Sequence, residues 1–132
     1  MIHKEKCIVM DVDGTLCPIR QKTQDYADLE PIAEVVEQLR EYRRIGFYII
    51  MYSSRNMHTH DGNVGKIIAT TGKTMMAWLD RHEIPYDEIH LGKPWPGKGG
   101  FYVDDKAIRP DEFLKLDYEH ILALIGERPG GD

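Results

Sequence analysis

The chain has 132 residues, with 17 Lys+Arg against 22 Asp+Glu and a formal net charge of −5. That length suits one domain that buries an ordinary core without disulfide staples. The acidic balance argues against a nucleic-acid binder, because phosphate backbones select basic surfaces, yet it leaves room for a local basic pocket that holds one small anion.

In chain order, Cys7-Ile8-Val9-Met10-Asp11-Val12 reads as a strand buried on both faces. The apolar run is too short for a signal-peptide core or a membrane span, so no membrane is expected. Cys7 and Cys17 are the only cysteines and have no metal-ligand spacing. A reducing cytoplasm is the expected setting, with Cys7 a small core residue and Cys17 lining a pocket. Residues 14–30 read as a loop or flap. Pro31 suits the first turn of a helix whose apolar positions are Ile32, Val35, Val36, Leu39 and Tyr42, with Gly46 as its stop.

Phe47–Tyr52 is a second strand, 56–65 a loop, and a helix to about His82 follows, with Met75, Met76, Trp78 and Leu79 as its core face or as an interface in a homo-oligomer. Ile84 through Leu91 is a third strand and Phe101-Tyr102-Val103 a fourth. A final helix has Ile121, Leu122, Leu124 and Ile125 as its apolar side. Residues 1–127 would form the catalytic domain and 128–132 a flexible tail. Strands alternating with helices predict an α/β fold with a mainly parallel sheet, whose ligands sit beyond the carboxyl ends of the strands.

That rule brings the chemistry to one rim. Asp11-Val12-Asp13-Gly14-Thr15-Leu16 follows the first strand, and an Asp at the end of an apolar run needs a partner or a cation. Ser53-Ser54-Arg55 follows the second strand, where hydroxyls and backbone N–H groups can hold phosphate oxygens. Lys93, in Gly92-Lys93-Pro94, could neutralise phosphate and nucleophile together, with Lys98 as its rival. Asp104-Asp105 follows the fourth strand. Carboxylates gathered at one rim repel by about 4 kcal/mol per 4 Å pair at an effective dielectric near 20, a conflict that a hard cation removes. Because the 56–66 loop follows Ser53, Arg55 before it and His58, Asn63 and Lys66 within it are placed to meet a substrate's leaving group. His58 and His60 have no third ligand in sequence, and the 70–74 segment lacks the first glycine of a P-loop.

The order Asp11-x-Asp13-Gly14-Thr15, Ser53, Lys93, Asp104-Asp105 resembles the four motifs of the haloacid dehalogenase superfamily of phosphatases, across residues 7–105. The chain has no room for a large cap domain and is similar to capless members. Asn63-Val64-Gly65-Lys66, Gly92-Lys93-Pro94-Trp95 and Ile108-Arg109-Pro110 further resemble small phosphatase-like proteins associated with capsular polysaccharide biosynthesis. The resemblance implies a three-layer Rossmann-like fold and a phosphomonoesterase acting on a small sugar-like phosphate. It implies Asp11 as nucleophile and Asp13 as acid and base. Ser53, Ser54 and Lys93 would bind phosphate. Mg2+ would be held by Asp11, the Asp13 carbonyl, Asp104 and Asp105. One departure is the short Pro/Gly-rich link between Lys93 and Asp104, where the family usually has a helix. A phosphoryl transferase or phosphomutase is an alternative within the resemblance. A receiver-like signalling module is another, but it lacks an acid two residues after the acceptor, which Asp13 supplies here.

Overall fold

The computed structural model describes residues 3–127, so the tail expected over 128–132 lies outside the described residues. They divide into two compact units, one ending at Trp95 and one beginning at Pro96. The first contains β1 (His3–Met10), α1 (Ala33–Arg44), β2 (Phe47–Ser53), a helical column and β3 (Glu88–Leu91). The column consists of α2 (Val64–Ile67), a π-turn (Ile68–Gly72) and α3 (Lys73–Arg81).

The three strands are parallel in the order β1-β2-β3. Two successive right-handed crossovers in the same direction put both helical layers on one face of the sheet. Burial follows this rule. On the covered face Met10, Ile49 and Met51 are buried, as are Val35 and Leu39 of α1 and Met75 and Leu79 of α3. In this unit the opposite face carries Cys7, which is exposed, and Val9, 60% exposed. The expectations that β1 is buried on both faces and that Cys7 is a core residue are therefore corrected. An apolar run shows what a strand tolerates; the crossover direction decides which face is covered.

Pro31 stands ahead of α1 and not inside it, because the cap is Ile32. The Ile32 N–H donates to the Leu16 carbonyl at 2.7 Å, which ties the start of α1 to the turn after β1. Glu34 in the first turn and Arg43 and Arg44 in the last suit the helix dipole. In α3, Met75, Trp78 and Leu79 are buried as expected, but Met76 is 43% exposed and leaves the core face. The buried three are packing residues of this unit. Trp78 also donates its indole N–H to the Leu29 carbonyl at 2.7 Å, and Arg81 donates to Ala27 O at 2.9 Å. These bonds fasten the 17–30 segment, with its 3₁₀ turn at Tyr26–Asp28, to α3.

The second unit contains α4 (Pro110–Lys115) and α5 (Tyr118–Leu124). α4 was not expected. Its signal is Pro110 at the first position, with Glu112 accepting from the Arg109 N–H at 2.8 Å. The apolar side of α5 is only half-buried, and Leu124 is 52% exposed. The expected fourth strand is absent among the described residues: Phe101–Val103 is irregular, with Val103 89% exposed. A parallel partner needs a crossover of a dozen or more residues, usually helical, and the Pro/Gly-rich 94–100 segment supplies none. Among the described residues, no helix is long and apolar enough to cross a membrane.

Candidate active site

The loop after β1 is wound around one carbonyl. Val12 O accepts N–H groups from Thr15, Leu16 and Cys17 at 3.1, 2.8 and 3.3 Å. Gly14 closes the loop by donating to Cys17 O at 2.7 Å, with a φ of +85° that L side chains rarely adopt. Val12, Leu16 and Cys17 are fully buried, so the loop is anchored from below. It presents Asp11, whose Oδ2 accepts from the Thr15 hydroxyl at 3.0 Å and whose Oδ1 lies 4.0 Å from Lys93 Nζ. Burial pushes the Asp11 carboxyl above the ordinary carboxylate range. Lys93 and the Thr15 hydroxyl pull against that rise without cancelling it.

Ser53 ends β2 opposite Leu91 of β3. Its Oγ accepts the Arg55 N–H at 3.0 Å, and its carbonyl accepts the Lys93 N–H at 3.1 Å. The second and third motifs are thus joined through one residue. Gly92, just before the lysine, has φ +85°, and a Cβ there would stand 2.9 Å from Val64 Cγ2, so glycine is required at this turn. Lys93 Nζ also sits 5.6 Å from the Tyr52 ring centroid, within cation–π range. Asp11, Ser53 and Lys93 therefore meet on one rim, as the strand-end rule expects.

Asp13 is held differently from Asp11. Arg55 donates Nε to its Oδ2 at 3.0 Å and Nη2 to its Oδ1 at 2.8 Å. The Arg55 residue is 4% exposed, and the Tyr26 ring covers its guanidinium at 4.0 Å. Arg55, expected as a substrate contact, is instead committed to Asp13. Cys17 Sγ lies 3.6 Å from Asp13 Oδ1. Burial first, and the Asp13 charge second, push the Cys17 thiol up to about 12, so it stays protonated at neutral pH. The positions of Thr15 and Tyr26 were not legible in the sequence. Thr15 sits inside the first motif and could have been suspected; Tyr26 has no local signal.

The remaining expected residues are placed as follows. Asn63 caps α2, its Oδ1 accepting the Lys66 N–H at 3.1 Å, and is thereby engaged in local structure. The Lys66 side chain is exposed, Ser54 is half-buried, and the His58 ring lies tilted against Trp95, centroids 5.6 Å apart. Asp104 and Asp105 lie in the second unit. Asp104 is exposed and held below the ordinary carboxylate range, first by the Lys106 N–H at 3.0 Å and then by hydrogen bonding with Asp105. Lys98 belongs to that unit as well. Among the described residues, no three His, Cys, Asp or Glu side chains gather to hold a metal ion.

No family model and no curated protein matches the chain. A crystal structure of a structural-genomics target from Vibrio cholerae is similar to it at 48% identity, with a TM-score of 0.86, covering 91% of this chain and 96% of that one. A chain of the Pnkp1/Rnl/Hen1 complex is similar at 19% identity and a TM-score of 0.45, covering 83% of this chain and 32% of that one. At that level the likeness carries no argument.

Proposed function

We propose that this chain, which belongs to the family of the Vibrio cholerae protein, is a Mg2+-dependent phosphomonoester hydrolase of the haloacid dehalogenase type, with a Rossmann-like parallel sheet. The observation that carries this reading is the Asp11 carboxylate. It is raised above its ordinary pKa by burial, flanked by Lys93 and Thr15, and stands two residues from a second acid that an arginine holds in place.

In this reading Asp11 attacks phosphorus and forms an O–P bond as the bond to the leaving oxygen breaks. Lys93 neutralises charge that builds on the phosphoryl oxygens, and the Ser53 hydroxyl, buried at the strand end, holds one of them. One Asp13 oxygen gives up its Arg55 hydrogen bond to take a proton from solvent, and passes that proton to the leaving oxygen. It then takes one from the water that cleaves the aspartyl-phosphate, releasing phosphate and restoring Asp11. Arg55 acts by fixing the orientation of the Asp13 carboxylate. Mg2+ suits the rim chemically, because it binds through one or two carboxylates and keeps water and substrate phosphate as its other ligands. Asp11 and the Asp13 carbonyl would hold it, and it would add positive charge where phosphoryl transfer needs it.

The resemblance to capsule-associated proteins puts small sugar phosphates first among substrates to screen. The test is release of phosphate from p-nitrophenyl phosphate by the purified full chain, with Mg2+ and with a chelator. Turnover with Mg2+ that the chelator removes is expected. No turnover under any metal condition, on aryl or sugar phosphates, overturns the reading.

A further inference from the structure

We infer that Trp95 is the platform on which the substrate's leaving group stacks, and that this group carries a planar aromatic base, as in a nucleoside 5′-monophosphate. The inference rests on the phosphatase reading above and adds the residue that selects the substrate.

Trp95 follows Lys93 by two residues in Gly92-Lys93-Pro94-Trp95-Pro96. Each proline fixes its own φ and drives the residue before it into extended backbone, so Lys93 and Trp95 are both restrained. The start of the segment is fixed as well: the Lys93 N–H donates to Ser53 O at 3.1 Å, and Gly92 turns against Val64. A stiff arm therefore leaves the end of β3, with the lysine at its base and the indole beyond it. His58, in the loop after β2, shows where the indole lies. The two rings are tilted at 57° with centroids 5.6 Å apart, inside the range of aromatic pairs. The indole thus reaches from the loop after β3 to the loop after β2, the strand ends that supply Lys93 and Ser53.

The contact with His58 leaves the indole 46% exposed. The other tryptophan, Trp78, is 1% exposed and spends its N–H on Leu29 O. A tryptophan kept for packing is covered in that way. Trp95 is restrained by its prolines and by an imidazole, and it is still open. Rigid, exposed aromatic surface takes a flat partner at small entropic cost.

Distance chooses the partner. Lys93 Nζ lies 4.0 Å from Asp11 Oδ1, which places the phosphoryl group beside both. Two residues of extended chain separate the α-carbons of Lys93 and Trp95 by roughly 6–7 Å, so the indole stands off from the phosphoryl site by about the length of a sugar. A sugar esterified directly to the phosphate would lie closer to Lys93. The ribose of a nucleoside 5′-phosphate spans that gap and brings its base to the indole. Every base has a π-face, so the platform requires a base without reading which one. The net charge of −5 disfavours a nucleic-acid strand and leaves a mononucleotide.

The experiment compares AMP with ribose 5-phosphate, which share phosphate and ribose and differ in the base. With Mg2+ and the full chain, kcat/KM for AMP should exceed that for ribose 5-phosphate about tenfold. Trp95→Leu should raise KM for AMP about tenfold and change ribose 5-phosphate by less than about twofold. Trp95→Phe should keep part of the preference, and GMP, CMP and UMP should fall within a few-fold of AMP. Binding without turnover is read in Asp11→Asn, whose tryptophan fluorescence AMP should quench and ribose 5-phosphate should not. Adding Trp95→Leu should abolish that quenching. A wild type with no preference for AMP, or equal losses on both substrates in Trp95→Leu, overturns the inference and leaves the phosphatase reading standing. Quenching by AMP without hydrolysis of any phosphate overturns the phosphatase reading and keeps the platform. Neither quenching nor hydrolysis overturns both.

Discussion

Arg55 and Asp13 form a two-point ion pair, 3.0 Å from Nε to Oδ2 and 2.8 Å from Nη2 to Oδ1, with the arginine side chain 2% exposed. Planar, bidentate geometry of this kind fixes the carboxylate in direction as well as position. A lysine carries the charge but cannot reproduce the fork. Arg55→Lys is therefore expected to lower kcat on p-nitrophenyl phosphate by about 100-fold, the lower end of the roughly 10²- to 10⁴-fold that general acid–base catalysis contributes, with KM within about twofold. Steady-state kinetics check this. A rise in KM at constant kcat would make Arg55 a substrate contact instead.

The 17–30 segment brings Tyr26 over Arg55, and its anchor is Trp78. The indole N–H meets Leu29 O at 2.7 Å inside the core. Trp78→Phe leaves that carbonyl unpartnered and opens a small void, at a cost of about 1–3 kcal/mol for the orphaned group. Urea denaturation should show a lower midpoint. If the segment depends on this anchor, the Arg55–Tyr26 contact loosens and activity falls with it.

The two cysteines differ in a way that mass spectrometry can read. Cys7 is exposed, while Cys17 is buried and its thiol is pushed up to about 12. The native chain treated with iodoacetamide at pH 8 should carry one adduct, on Cys7. In urea both should react. Labelling of Cys17 in the native state would mean that the loop after β1 opens.

Asp11 lends itself to a stability test. Its ordinary value is 3.8 and its folded value is higher because of burial. Between those two values the folded chain keeps a proton that the unfolded chain has released, so stability falls as pH rises through the window. Asp11→Asn removes the buried charge. In metal-free buffer at pH 7 its Tm should exceed the wild type's, and the gap should close below pH 3.8. A lower Tm at pH 7 would show that Lys93 and Thr15 stabilise the charge more than burial opposes it.

Much of this site was legible in the sequence, and the limits were physical. The apolar runs ending at Asp11 and Ser53 located two strand ends, and the parallel topology brought Asp11, Ser53 and Lys93 to one rim. The run Phe101–Val103 was as apolar as a strand, but pairing depends on the connection before it, and a Pro/Gly-rich link leaves it irregular. Cys7 and Val9 read as core because composition does not reveal which sheet face the crossovers cover. Met76 lies one helical step from Met75, off the i, i+3, i+4 stripe that Met75, Trp78 and Leu79 form on α3. The Arg55–Asp13 pair spans 42 residues, and no local pattern records a partner at that distance.

The central claim is that Asp11 is a nucleophile toward phosphorus, and the most direct measurement is phosphate release from p-nitrophenyl phosphate with Mg2+ by the wild type and by Asp11→Asn. The wild type should turn over continuously, and the variant should fall to the level of the protein-free control while keeping its fold by circular dichroism. A variant that retains wild-type turnover, or a wild type that is inactive with Mg2+ present, would contradict it.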